Sequence, residues 1–157
     1  MKHTISILVE NKFGVLARVA GLFSARGYNI YSLTVSETQD PTVSRMTVVV
    51  NAEDEKILEQ IKKQLNKLID IITVVDYTKK EYIERELVFI KIALNGKNLP
   101  KLKKVIAKAG AVVLEKKEDA VIVEVANDQE RIRNFLAELK DFKVVEVVRS
   151  GRIAIAK

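Results

Sequence analysis

The short apolar run at residues 5–9 predicts a strand over 4–10, and the spacing then changes. Val15, Leu16, Val19, Leu22 and Phe23 recur at helical intervals and predict one apolar face of a helix that Gly27 ends. Residues 30–37 and 44–50 read as strands on either side of a polar loop containing Pro41. Ile57, Leu58, Ile61, Leu65 and Leu68 line a second helix, with Asp54 placed to cap it, and residues 71–77 supply a last strand. The order is βαββαβ.

A charged stretch poor in apolar residues, 78–86, reads as a connector, after which the same order repeats. Residues 87–94 form a strand. Asn98 can cap a helix carrying Leu99, Leu102, Ile106 and Ala109, with Pro100 in its first turn and Gly110 just past its end. Residues 112–115 and 120–126 make a hairpin around Lys117, Glu118 and Asp119. Asn127 or Asp128 can start a helix with Ile132, Phe135, Leu136 and Leu139 on one face, and residues 142–148 close the unit. The chain then turns at Ser150 and Gly151 into a strand extension at Ile153, Ala154 and Ile155.

Two βαββαβ units imply an α+β fold of two ferredoxin-like sandwiches, one in residues 1–77 and one in 87–157, each an antiparallel sheet with helices on one face. Units of about 75 residues bury a limited share of their surface, so a second chain would add stability. A strand over 30–37 is expected at a sheet edge, and pairing it across a two-fold axis would cover that edge. A homodimer is therefore expected.

Composition narrows the function classes. Hydrophobic residues make up 48% of the 157, enough for a core, yet no apolar run approaches the length of about 20 that spans a bilayer. With no signal peptide evident after Met1 and no cysteine, the expectation is a cytoplasmic chain with neither disulfide nor thiolate chemistry. The net charge of +6 raises the question of nucleic acid. Lys and Arg alternate with Glu and Asp over 53–67 and 79–86, however, which is the pattern of solvated faces rather than of a phosphate-binding patch. The single histidine, His3, has no carboxylate or serine beside it and reads as a surface residue. No metal site and no acid/base pair stands out.

The turn between the first strand and first helix is the best candidate for chemistry. A helix starting near Val15 leaves its first N–H groups without intrahelical partners, and its dipole favours negative charge there, so the turn can receive a carboxylate or phosphate. Gly14 allows close approach to the backbone or a positive φ. Read alone, Asn11 to Gly14 is more readily a plain connecting turn, and Asn29, after Gly27 and Tyr28, sits where Asn is common for conformational reasons.

The flanking sequence decides between these readings. Glu10-Asn11-Lys12-Phe13-Gly14-Val15-Leu16, Gly21-Leu22-Phe23-Ser24, Arg26-Gly27-Tyr28-Asn29-Ile30, Ser32-Leu33-Thr34-Val35, the stretch from Thr38 through Pro41 to Ser44-Arg45-Met46-Thr47, and Leu58-Glu59-Gln60-Ile61 follow in that order. Together they resemble the small, regulatory subunit of acetolactate (acetohydroxyacid) synthase, whose first half is an ACT domain. The resemblance implies an effector site for a branched-chain amino acid, valine first, at an interface between paired ACT domains. Asn11, Gly14 and Asn29 are its implied polar positions, Val15 and Leu16 add backbone N–H groups, and Ile30 is counted with them. Backbone N–H groups would take the effector's carboxylate, the Asn11 side-chain carbonyl its ammonium, and Asn29 would arrive from the neighbouring subunit. Phe13, where Pro or a small polar residue is frequent, and Ala17, often serine, depart from the family pattern.

The implied function is non-catalytic: the chain binds and activates the catalytic subunit of acetolactate synthase and transmits feedback inhibition. That partner uses thiamine diphosphate, magnesium and often FAD; no cofactor is expected on this chain. Two other functions share the βαββαβ order. An RNA-recognition module stacks bases on aromatics of its central strands, and residues 5–9 and 44–50 contain none. An acylphosphatase-like enzyme needs an arginine-lined phosphate turn, and residues 11–14 contain no Arg.

Overall fold

A computed structural model describes residues 2–52 and 55–157. The chain divides into two compact units, Met1–Ile83 together with Arg152–Lys157, and Glu84–Gly151.

In the first unit, β1 (Lys2–Glu10), α1 (Val15–Ser24), β2 (Ile30–Glu37), β3 (Val43–Asn51), α2 (Glu55–Leu65) and β4 (Ile71–Asp76) form a four-stranded sheet of order β2-β3-β1-β4. Each neighbouring pair is antiparallel, so β1 and β2, separated by β3, run the same way. Ile5, Ile7 and Val9 of β1 point with Met46, Val48 and Val50 of β3 into a core closed by Val15, Val19, Leu22 and Phe23 of α1 and Leu58, Ile61 and Leu65 of α2. Alternation in the strands meets the helical stripe here, and the match fixes the register. Leu16, expected on the α1 core face, is instead 45% exposed. The core stripe runs through Val15, Val19, Leu22 and Phe23, which leaves Leu16 beside it. Leu68 lies beyond the end of α2 and packs on the core from the following loop. Asp54, expected to cap α2, lies outside the described residues.

The opposite face of this sheet is also largely covered. Thr4 and Ser6 of β1 and Thr47 and Val49 of β3 are buried. On the helix face, in line with Ile5 and opposite Val50, His3, expected at the surface, is buried too, its ring hydrogen-bonded at Nδ1 with Thr78 Oγ1 (2.9 Å) and at Nε2 with the Ala52 carbonyl (3.3 Å). Its neighbours come from 49 and 75 positions away, beyond the reach of any local reading.

The second unit repeats the plan with β5 (Tyr82–Ala93), α3 (Leu99–Ala109), β6 (Val112–Lys116), β7 (Ala120–Asn127), α4 (Gln129–Glu138) and β8 (Val144–Ala156), in sheet order β6-β7-β5-β8. Val88, Ile90, Ile92, Val121, Val123 and Val125 face Leu102, Ile106, Ile132 and Phe135. Asp128 caps α4, its Oδ1 accepting from the Arg131 N–H at 2.9 Å, and Gly110 ends α3 at φ 65°. Asn98 stands at the start of α3 but does not cap it; its Oδ1 accepts from Asn95 N–H and its own N–H donates to Asn95 Oδ1. Two corrections concern the ends. The charged stretch read as a connector already holds the start of β5 at Tyr82, and β8 runs on through Gly151 at φ 87° so that its last part belongs to the first unit.

Candidate functional site

The turn after β1 is built by three constraints. Gly14 adopts φ +79°, ψ −5°, a left-handed conformation that costs a residue with a Cβ roughly 1–2 kcal/mol, so glycine is required by the backbone. Gly14 is also the N-cap of α1 and offers no side chain to its first N–H groups. The helix ladder starts with the Arg18 N–H donating to the Gly14 carbonyl at 3.0 Å, and the Val15 N–H is spent on Lys12 O at 3.3 Å. Of the backbone donors expected at this turn, Val15 is thus engaged and its side chain lies in the core, while the Gly14 and Leu16 N–H groups stay at the open helix end.

Asn11 is held by the β2–β3 loop. Its N–H donates to Thr42 O (2.7 Å) and its side-chain Nδ2 to Pro41 O (2.8 Å). With Nδ2 bound to a carbonyl, the amide is oriented and Oδ1 is left as an exposed acceptor, the group needed for an ammonium. The loop is itself fixed by Asp40, whose Oδ1 accepts from Thr42 N–H (2.9 Å) and Thr42 Oγ1 (2.7 Å). These bonds favour the charged form and hold the Asp40 carboxyl below its ordinary value of 3.8.

Two residues that local sequence reading passed over complete the turn. The Asp70 carboxylate, buried, accepts from Arg18 Nε (2.8 Å) and Nη2 (2.7 Å), and the Asp70 carbonyl accepts from Glu10 N–H (2.9 Å). Asp70 therefore ties both flanks of the turn, the end of β1 and the first turn of α1. Arg18 Nη1 lies 3.0 Å from where a Cβ on Gly14 would stand, which brings a guanidinium to a turn that has no arginine of its own. The signal lay in spacing: a residue four past Gly14 sits one helical turn above it. Apolar residues gather at the same end of the unit. Phe13 is fully exposed, Leu16 and Ile72 about half and Ile69 almost wholly.

Asn29 is far from all of this. It precedes β2, whose first residue Ile30 lies opposite Val50, itself opposite His3, whereas the Asn11 turn follows Glu10, opposite Val43. The seven-residue separation along the sheet is about 23 Å at 3.3 Å per residue. Asn29 is exposed, and the turn before it takes its positive φ at Gly27. Among the described residues no non-glycine has a positive φ, so Asn29 is not there to supply an unusual backbone conformation. Ile30 is half-buried against the core, and a register shift falls between it and Ser32. The structure thus brings Asn11, Gly14, Val15 and Leu16 together at one end and Asn29 and Ile30 at the other. Arg45 donates to Ser6 Oγ at 2.8 Å on the sheet face.

No helix among the described residues is long and apolar enough to cross a membrane, and no three His, Asp or Glu side chains among them converge in a way that could hold a metal ion.

Comparison with known proteins gives the geometry a family. Residues 5–73 match the model of the AHAS small subunit-like ACT domain, and residues 85–157 that of the small subunit of acetolactate synthase. The acetolactate synthase isozyme 3 small subunit of Salmonella typhimurium is 41% identical, over 100% of this chain and 96% of that protein. A probable acetolactate synthase small subunit of Archaeoglobus fulgidus is also 41% identical, over 100% and 98%. The crystal structure of an acetolactate synthase small subunit from Thermotoga maritima superposes with a TM-score of 0.89 at 30% identity, over 100% of this chain and 98% of that one. Two matched domains in sequence and full-length likeness in structure leave one conclusion: this chain belongs to the acetolactate synthase small-subunit family, with an ACT domain as its first half.

Proposed function

We propose that the chain is the regulatory, non-catalytic subunit of an acetolactate synthase, that it activates a catalytic subunit, and that it binds a branched-chain amino acid, valine first, between two copies of itself. Thiamine diphosphate, magnesium and FAD would belong to the catalytic partner. The observation that carries the effector reading is the separation of about 23 Å between the Asn11 and Asn29 ends of one sheet. A single amino acid cannot touch both in one chain, but a second copy placed by a two-fold axis along the unpaired edge of β2 can bring its Asn29 to the Asn11 turn.

The chemistry of that turn suits an α-amino acid. An open helix end with Arg18 beside it favours a carboxylate, the oriented Oδ1 of Asn11 accepts from an ammonium, and the exposed Phe13, Leu16 and Ile69 offer apolar surface to a branched side chain. Discrimination among valine, leucine and isoleucine is expected to be modest, since one methylene in an apolar site is worth about 1–3 kcal/mol.

Mixing tests the two-chain site. Asn11→Ala and Asn29→Ala dimers should each lose valine binding, because every site lacks one of its two groups. In mixed dimers one site regains both asparagines while the other lacks both, so titration calorimetry should recover binding at one valine per mixed dimer. Failure of the mixture to recover binding, with both single variants folded, would exclude a site shared between chains.

A further inference from the structure

Arg152 lies in the sequence at the end of the second βαββαβ repeat but folds into the first unit, where it is 8% exposed. A buried guanidinium is costly to place and is retained only with specific partners. Here its backbone N–H donates to Ser32 Oγ on β2 at 2.9 Å, and its Nη1 donates to Thr4 Oγ1 on β1 at 2.7 Å. Ser32 and Thr4 both pair with Val49 of β3, so they share the sheet face away from the helices and are separated by the width of one strand. Arg152 therefore bridges three adjacent strands, fastening β2 at one end and β1 at the other.

The fastening point on β2 is where the strand is irregular. Ile30 pairs with Val50 and Ser32 with Val49, so Tyr31 is an extra residue in β2, a bulge of the kind that re-aims the side chains around it. Asn29 lies immediately before the bulge and Ser32 immediately after it. β2 is an edge strand, with no neighbour on its other side among the described residues to hold that irregular register.

We propose that Arg152 is a positioning residue for the effector site: through Ser32 it locks the bulge at the start of β2 and so sets the direction in which Asn29 is presented. This rests on the reading of Asn29 as an effector group. It also assigns a role to the segment Arg152–Lys157, as a structural part of the amino-acid-binding unit. Chain pieces ending near residue 83 would retain Asn11, Gly14 and Asn29 yet present Asn29 poorly.

The test uses the full chain and the variants Ser32→Ala, Ser32→Thr and Arg152→Ala. Ser32→Ala removes the acceptor and Ser32→Thr retains a hydroxyl. Two readouts are taken on each: the side-chain amide resonances of Asn29 without ligand, and the dissociation constant for L-valine. The proposal expects Ser32→Ala to shift the Asn29 amide signals and weaken valine binding by about tenfold, the scale of one lost hydrogen bond. Ser32→Thr should restore both, and Arg152→Ala, which keeps the backbone N–H that Ser32 Oγ accepts from and loses only the anchor on Thr4, should not exceed Ser32→Ala in a folded chain. Arg152→Ala also removes a buried charge and can unfold the unit; the Ser32 pair leaves that charge in place and keeps the test decisive. Unmoved Asn29 signals in folded Ser32→Ala would overturn the proposal whatever valine does. Asn29 signals that move while the parent chain binds no valine would instead overturn the effector reading and, with it, the proposed role in binding.

Discussion

Gly14 shows how backbone and ligand demands separate at one residue. At φ +79° alanine pays the left-handed penalty with nothing in return, whereas aspartate tolerates this region better and would set its carboxylate beside Arg18 Nη1, 3.0 Å from the new Cβ. Folding and binding should therefore rank the two variants oppositely. Gly14→Ala is expected to lose about 1 kcal/mol of stability, with Gly14→Asp less affected. Valine binding should fall at least about tenfold further in Gly14→Asp than in Gly14→Ala, because a fixed carboxylate then occupies the place of the effector's own and repels it. Thermal unfolding and calorimetric titration of both variants check the two rankings; tighter valine binding by Gly14→Asp than by Gly14→Ala would show that the carboxylate does not arrive at this turn.

At the scale of elements, the loop between β2 and β3 is the support on which Asn11 rests, and Asp40 is its titratable part. Because the Asp40 carboxyl is held below 3.8 in the folded chain by Thr42, the loop's stabilisation is complete above that value and is lost as pH falls through the lower, folded value. The Asn11 side-chain amide should therefore keep its resonance position from neutral pH down to about 3.8 and move only below it. Asp40→Ala should show the displaced position at neutral pH. A displacement in the parent chain well above 3.8 would mean that some other group holds the loop.

Elements were also the level most legible in the sequence. The helical period of α1 and the apolar run of β1 met complementary faces across the core, and the Asp128 and Gly110 signals at helix ends acted locally as expected. The Asn11 turn was legible for the same reason: glycine, helix start and strand end are neighbours in sequence. Arg18, Asp70 and Arg152 were not, because each matters through a partner at a distance. Arg18 reaches Asp70 across 52 positions and Arg152 reaches Thr4 across 148. The burial of His3 escaped for the same cause. Asn98 failed as a cap because its side-chain Oδ1 is taken by the backbone N–H of Asn95, three residues back.

For the whole molecule, membership of the acetolactate synthase small-subunit family is joined to the proposal that each end of the first sheet carries half of an amino-acid site, so that occupancy would require two chains. A ligand held between copies favours the assembled state by mass action and can bias whatever that state does to a catalytic partner. The most direct test is acetolactate formation from pyruvate by the purified catalytic subunit, measured with and without this chain while L-valine is titrated. The account predicts that adding the chain raises the rate and that valine then lowers it, with neither effect in the catalytic subunit alone. A rate unchanged by the chain, or a raised rate that valine and the other branched-chain amino acids leave untouched, would contradict it.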